Sequence, residues 1–320
     1  MFHKHPYLFP FSMASQPSSS FLARWPLRSY FVLAYGLSWL LWSPLVLSKG
    51  AGIGILPFVL SGSLSDSMVI LIISVGSFGP LLAALIVSAA VGGCAEVGKL
   101  LHHMVRVRVG IQWYLLAVFV PLLTVILPAP FLGDSTLLPS LLSGKAVIAL
   151  LIYVLATLLG MVLGSPIGEE PGWRGFALPR LQRSYGPLMG SLLLGVLWAF
   201  WHFPLFFTIW GKGYALVGLT LGILLFALTV IGYSVFMTWL YNNTRNSIFL
   251  AILFHSAVDS KISFFLLLTP HFRLDVTSAE ASTLLTDLLA GVVVWAIGAA
   301  LVIVLTKGRL SYKPALVEKV

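Results

Sequence analysis

The sequence predicts an all-α fold, a polytopic transmembrane helical bundle of about eight helices. Hydrophobic residues make up 59% of the 320 and charged residues only 9%, and mean hydropathy is +1.00, a balance foreign to ordinary soluble domains. The basic residues behind the net charge of +9 fall between apolar segments, as the positive-inside rule expects of a membrane protein, so no nucleic-acid partner is expected. Cys94, the single cysteine, has no intramolecular disulfide partner and reads as a packing residue.

Crossing a bilayer takes about 20 consecutive apolar residues. Such runs fall at about 29–48, 68–92, 111–132, 146–167, 187–209, 215–241, 247–269 and 286–306. Residues 1–28 are polar and Ser-rich without a compact signal-peptide core, and are read as an N-terminal tail before a bundle over 29–306, with 307–320 as a C-terminal tail. An even number of spans gathers 14 of the 19 Lys and Arg residues on one side, which places both tails in the cytoplasm. It also puts the stretch Glu169–Arg183 at the cytoplasmic mouth of the fourth and fifth spans. His102 and His103, beside Arg106 and Arg108, read as a cytosolic loop near anionic headgroups. No internal repeat argues for a transporter.

Within this apolar chain the run Gly168-Glu169-Glu170-Pro171-Gly172-Trp173-Arg174-Gly175 stands apart. An ionisable residue at or inside a bilayer must be paired, hydrated or used. On a helix Arg174 faces Glu170, four residues before it, while Glu169 points elsewhere, so one carboxylate is neutralised and the other is left to act. Pro171-Gly172 reads as a helix start or interruption. His202 sits in the apolar run Leu197–Pro204, and His255 and Asp259 share one helix face at a spacing of four. The simplest way to satisfy all these groups is one interior cavity lined by three helices. There a carboxylate with a raised pKa can take a proton from water and return it to a leaving amine, while an imidazole stabilises charge. Depths are less simple: at about 1.5 Å per residue, His255 lies roughly 12 Å beyond Ser247 but His202 roughly 22 Å beyond Pro187. Helix tilt, a cytosolic start to the fifth helix or a Pro204 kink would have to absorb the difference.

These motifs resemble those of the CPBP family of intramembrane proteases, which takes in CAAX prenyl proteases and bacteriocin-processing, Abi-like proteins. The family signature is a double glutamate with an arginine four places after the second, as in Glu169-Glu170 and Arg174, followed by two histidine motifs. Trp198 to His202 matches an aromatic residue four before a histidine, with Trp where Phe is commoner. His255 to Asp259 matches a histidine followed by Asn or, less often, Asp. The resemblance covers about residues 146–269. It implies that Glu169 activates water, His202 helps bind it, His255 with Asp259 stabilises the tetrahedral intermediate, and Glu170 and Arg174 support the site. The implied substrate is a hydrophobic or lipid-modified peptide or protein cleaved near the cytoplasmic face, in a bacterial plasma membrane.

No cofactor is expected. If a metal is used, Glu169, His202 and His255 are the ligand set for zinc, although the chain has no His-Glu-x-x-His helix. Each group also has a bland reading, as a solvated helix end or a hydrogen-bonded lock between helices. The rival functions are a non-catalytic scaffold or bacteriocin-immunity factor on the same fold, and a transporter using the cavity as a proton relay.

Overall fold

The computed structural model describes residues 20–49, 51–59, 63–128, 137–208, 218–268 and 281–314. In chain order the helices are α1 (Phe21–Arg24), α2 (Pro26–Leu47), α3 (Ser63–Gly76), α4 (Gly79–Met104), α5 (Ile111–Ile126), α6 (Leu137–Leu141), α7 (Lys145–Leu163), α8 (Pro166–Glu170), α9 (Leu178–Tyr185) and α10 (Pro187–Trp201). They continue with α11 (Leu219–Asn243), α12 (Ile248–Leu268) and α13 (Ala281–Thr306). The one sheet among the described residues is a short parallel pairing of Ser48–Lys49 with Leu56–Val59.

The fold is the polytopic helical bundle that composition predicts. Among the described residues seven helical stretches are long and apolar enough to cross a membrane, and an eighth, α5, is apolar but has only 16 residues. Boundaries move most around the second span, expected to stop near residue 92. The helix continues to Met104 across a break at Gly92 and Gly93, whose backbones are non-helical, Gly93 with φ +62°. Glycine tolerates that positive φ, so the segment bends where other residues would end. The bend carries His102 and His103 onto the last helical turn of α4, not into a loop, and His103 is buried with Nδ1 3.0 Å from the Asn246 carbonyl. Cys94, beside the bend, is exposed and not packed.

Around the site α12 packs against α7 and α5, α10 lies between α9 and α11, and α2 runs along α4. Helix α2 also holds the far end of α10, through Tyr35 Oη donating to the Leu197 carbonyl at 2.7 Å and Trp39 Nε1 donating to the Trp201 carbonyl at 2.9 Å. In a lipid-facing bundle these bonds fix helix position where apolar packing alone discriminates poorly, because lipid tails are as apolar as leucine.

Candidate active site

Gly164 ends α7 in extended conformation (ψ −178°), and the helix restarts at Pro166, whose fixed φ suits a first turn. From there the chain stays helical to Tyr185, through α8, a π-helical stretch over Pro171–Ala177 and α9. The interruption expected at Pro171-Gly172 therefore lies earlier, at Gly164-Ser165. At Pro171 the helix widens instead of ending, since a π turn relieves the clash a proline ring makes in an α-helix; such widenings recur at functional sites.

Every residue from Gly168 to Pro179 is buried, so the double glutamate is no solvated helix end. Two glycines set this depth. A Cβ on Gly168 would stand 2.6 Å from the Ser77 carbonyl oxygen, and one on Gly172 would stand 2.5 Å from both the Pro80 carbonyl oxygen and Tyr30 Oη. Their spacing of four lets the backbone lie directly against the start of α4, as small residues do between membrane helices.

Glu169 and Glu170, one residue apart, diverge as the helix turns. Glu170 Oε1 accepts from Arg174 Nη1 at 3.1 Å and lies 2.7 Å from His255 Nδ1. Glu170 and Arg174 are fully buried, so the carboxylate bridges a guanidinium on its own helix and an imidazole from α12. Glu169 Oε2 instead accepts from Trp198 Nε1 at 2.8 Å and, more weakly, from Trp173 Nε1 at 3.4 Å. Among the described residues no cation lies within ion-pairing distance of it. Burial pushes the Glu169 carboxyl up to about 7; the charge of His255 opposes the rise and that of Glu170 adds to it. The group thus titrates near neutrality, where a general base works best.

Trp198 joins the histidines to this carboxylate. Its carbonyl accepts from His202 Nδ1 at 2.9 Å; a carbonyl only accepts, so that nitrogen carries the proton and a neutral ring presents Nε2 as an acceptor. The Trp198 ring meets the His255 ring edge-on at 5.2 Å, and the Arg174 guanidinium lies 4.2 Å from its centroid. His202 closes α10 immediately before the 3₁₀ turn Phe203–Phe207. The difference in expected depths is bridged here: Trp198, one turn earlier on α10, makes the side-chain contacts to Glu169 and His255. Asp259 Oδ2 lies 3.7 Å from His255 Nε2 with its side chain 51% exposed, at the edge of the cluster.

Glu170, Arg174, His255 and Asp259 are thus linked by direct contacts, and Glu169 and His202 reach the same group through Trp198. The donors Trp198 and Trp173 are absent from the sequence-predicted site. A signal existed for them, because an indole N–H in an apolar helix must find an acceptor. Tyr233, ring-packed on Trp198 at 5.2 Å and on His255 at 6.0 Å, comes from α11, which carries no motif to mark it.

Comparison with known proteins matches residues 150–260 to the family described as type II CAAX prenyl endopeptidase Rce1-like. The CAAX prenyl protease 2 of Methanococcus maripaludis is 37% identical over 92 residues, 28% of this chain and 34% of that protein. Over this segment the chain is similar to CPBP-family proteases. The alignment spans about a third of the relative's length, and the Rce1-like segment takes in α8 through α11 and all six motif residues.

A zinc site fits this core poorly. Among the described residues no three His, Cys, Asp or Glu side chains are grouped to hold a metal ion.

Proposed function

We propose that this protein is an intramembrane endopeptidase that hydrolyses a peptide bond with water activated by Glu169. The observation that carries this reading is the unequal treatment of two adjacent carboxylates. Glu170 is spent on Arg174 and His255, whereas Glu169 is held by indole N–H groups and, among the described residues, has no cation within ion-pairing distance. A buried carboxylate without a counter-ion is costly, and one oriented by neutral donors keeps its basicity.

The chemistry follows. Glu169 accepts a proton from water as the oxygen adds to the scissile carbonyl carbon, and His202 Nε2 accepts from the same water. The ring of His255, flanked by Glu170 and Asp259, presents Nε2–H to the oxyanion that forms. Collapse of the tetrahedral intermediate breaks the C–N bond, and the protonated Glu169 delivers its proton to the leaving amine. No step is routed through a metal. The substrate we propose is a hydrophobic or lipid-modified peptide cleaved near the cytoplasmic face, with both termini of the chain on that side.

The test uses full-length protein in detergent with hydrophobic and prenylated peptides. Wild type should cleave after exhaustive chelation, and Glu169→Gln should bind substrate but lose about 10²–10⁴-fold in rate with the general base. Activity restored only by added zinc would favour the metal mechanism. Binding without cleavage by wild type across a broad peptide set would favour the scaffold.

A further inference from the structure

A polar cavity lies outside the catalytic cluster, between α4 and the π-helical turn with α9. It encloses about 310 Å³, and its charged lining is Glu96, Lys99, Arg180 and Arg183. Lys99 Nζ pairs with Glu96 at 2.6 Å, the one acidic side chain of the lining among the described residues, so the two arginines exceed the negative charge there. Arg180 is braced: Nη1 donates to the Phe176 carbonyl at 2.9 Å and the guanidinium stacks 3.7 Å from the Phe176 ring centroid. Burial lowers Arg180 to about 10, with Glu96 opposing the shift and Arg183 adding to it, so it stays charged at neutral pH. A fixed guanidinium fork beside a second arginine matches the oxygens of a phosphate.

The rest of the lining says which phosphate. Val91, Leu100, Phe176 and Pro179 give the cavity an apolar wall. Along α4 the surface changes from exposed aliphatic residues at Leu82 and Ile86 to the exposed charge of Lys99, the passage from acyl chains to headgroups. Gly175 keeps the cavity open at its base, since a Cβ there would stand 2.5 Å from Leu100 and 2.6 Å from Ile248. We propose that the cleft between α4 and α9 binds the phosphate of an anionic membrane phospholipid through Arg180 and Arg183, with its first acyl carbons against Leu100 and Phe176.

The test is native mass spectrometry of the full chain, delipidated in detergent and then offered phosphatidylglycerol or phosphatidylcholine. Wild type should retain phosphatidylglycerol preferentially. Arg180→Gln with Arg183→Gln should lower that retention by roughly tenfold or more, the scale of lost charge-assisted hydrogen bonds, while Arg28→Gln, away from the cleft, should leave it unchanged. Glu96→Gln, which frees Lys99, should raise retention and keeps the test decisive if the arginine variants fold poorly. Equal retention in wild type and every variant would overturn the site. Displacement of the lipid by an excess of inorganic phosphate would overturn the lipid assignment, because free phosphate lacks the acyl contact.

Discussion

Two consecutive helical stretches, α7 and the run from α8 into α9, meet at Gly164 yet are built on opposite terms. Helix α7 turns Leu151, Leu155, Leu158 and Leu159 outward, each more than half exposed, whereas Gly168–Pro179 has no exposed residue. The first needs only to be apolar. In the second, Glu169, Glu170, Trp173 and Arg174 each have particular hydrogen-bond partners, so individual residues and not average hydropathy determine whether it works.

The sharpest way to break this comparison is to remove one charge from the buried run. Arg174→Gln should destabilise by about 3–5 kcal/mol, because Glu170 would then lie buried against His255 alone, and thermal unfolding in detergent should register the loss. Exchanging the charges, Glu170→Arg with Arg174→Glu, should not restore stability, since a guanidinium at position 170 would face His255. Full recovery in the exchange would reduce the three-way contact to a simple pair.

Gly172→Ala comes next. The added methyl meets backbone at Pro80 as well as Tyr30 Oη, and backbone yields little, so a cost of about 3 kcal/mol, the upper part of the range for overpacking, is expected in the same melting assay.

Smaller effects sharpen the chemistry. Trp198→Phe keeps the aromatic contacts but deletes the 2.8 Å donor to Glu169; cleavage should fall by roughly tenfold, as for a lost hydrogen bond to a charged group, and the acid limb of the rate profile should move to higher pH. In wild type that limb should rise through about 7 as Glu169 loses its proton. The stability sign is opposite. A carboxyl whose pKa is raised from 4.5 to about 7 on folding binds its proton more tightly when folded, so its contribution to stability declines as pH climbs through that window. The smallest effect belongs to α7, where Leu155→Val should change stability by no more than about 0.5 kcal/mol.

The same contrast explains what could be read in the sequence. Helices such as α7 were legible from composition, and the end of α2 and the start of α12 fell within a residue or so of their predicted limits. The candidate residues were legible because charge is conspicuous in an apolar chain, and the spacing of Glu170 and Arg174 foretold their contact. Local backbone adjustments were not legible. Pro171 reads as a helix breaker in one dimension, and only the packing of Gly168 and Gly172 against α4 makes a continuous π-widened helix the better solution. Likewise no periodicity shows that Trp198 turns its indole toward Glu169, because an aromatic residue in an apolar helix looks like packing until its N–H has to be satisfied.

The central claim is that two neighbouring glutamates do different work, one chemical and one architectural. The most direct test measures cleavage and thermal unfolding side by side for Glu169→Gln and Glu170→Gln. The expected result is an inactive Glu169→Gln protein that melts at or above the wild-type temperature, having lost a buried unpaired charge, and a Glu170→Gln protein that melts well below it. A Glu169→Gln protein that still cleaves at the wild-type rate, or two variants with the same losses in both assays, would contradict it.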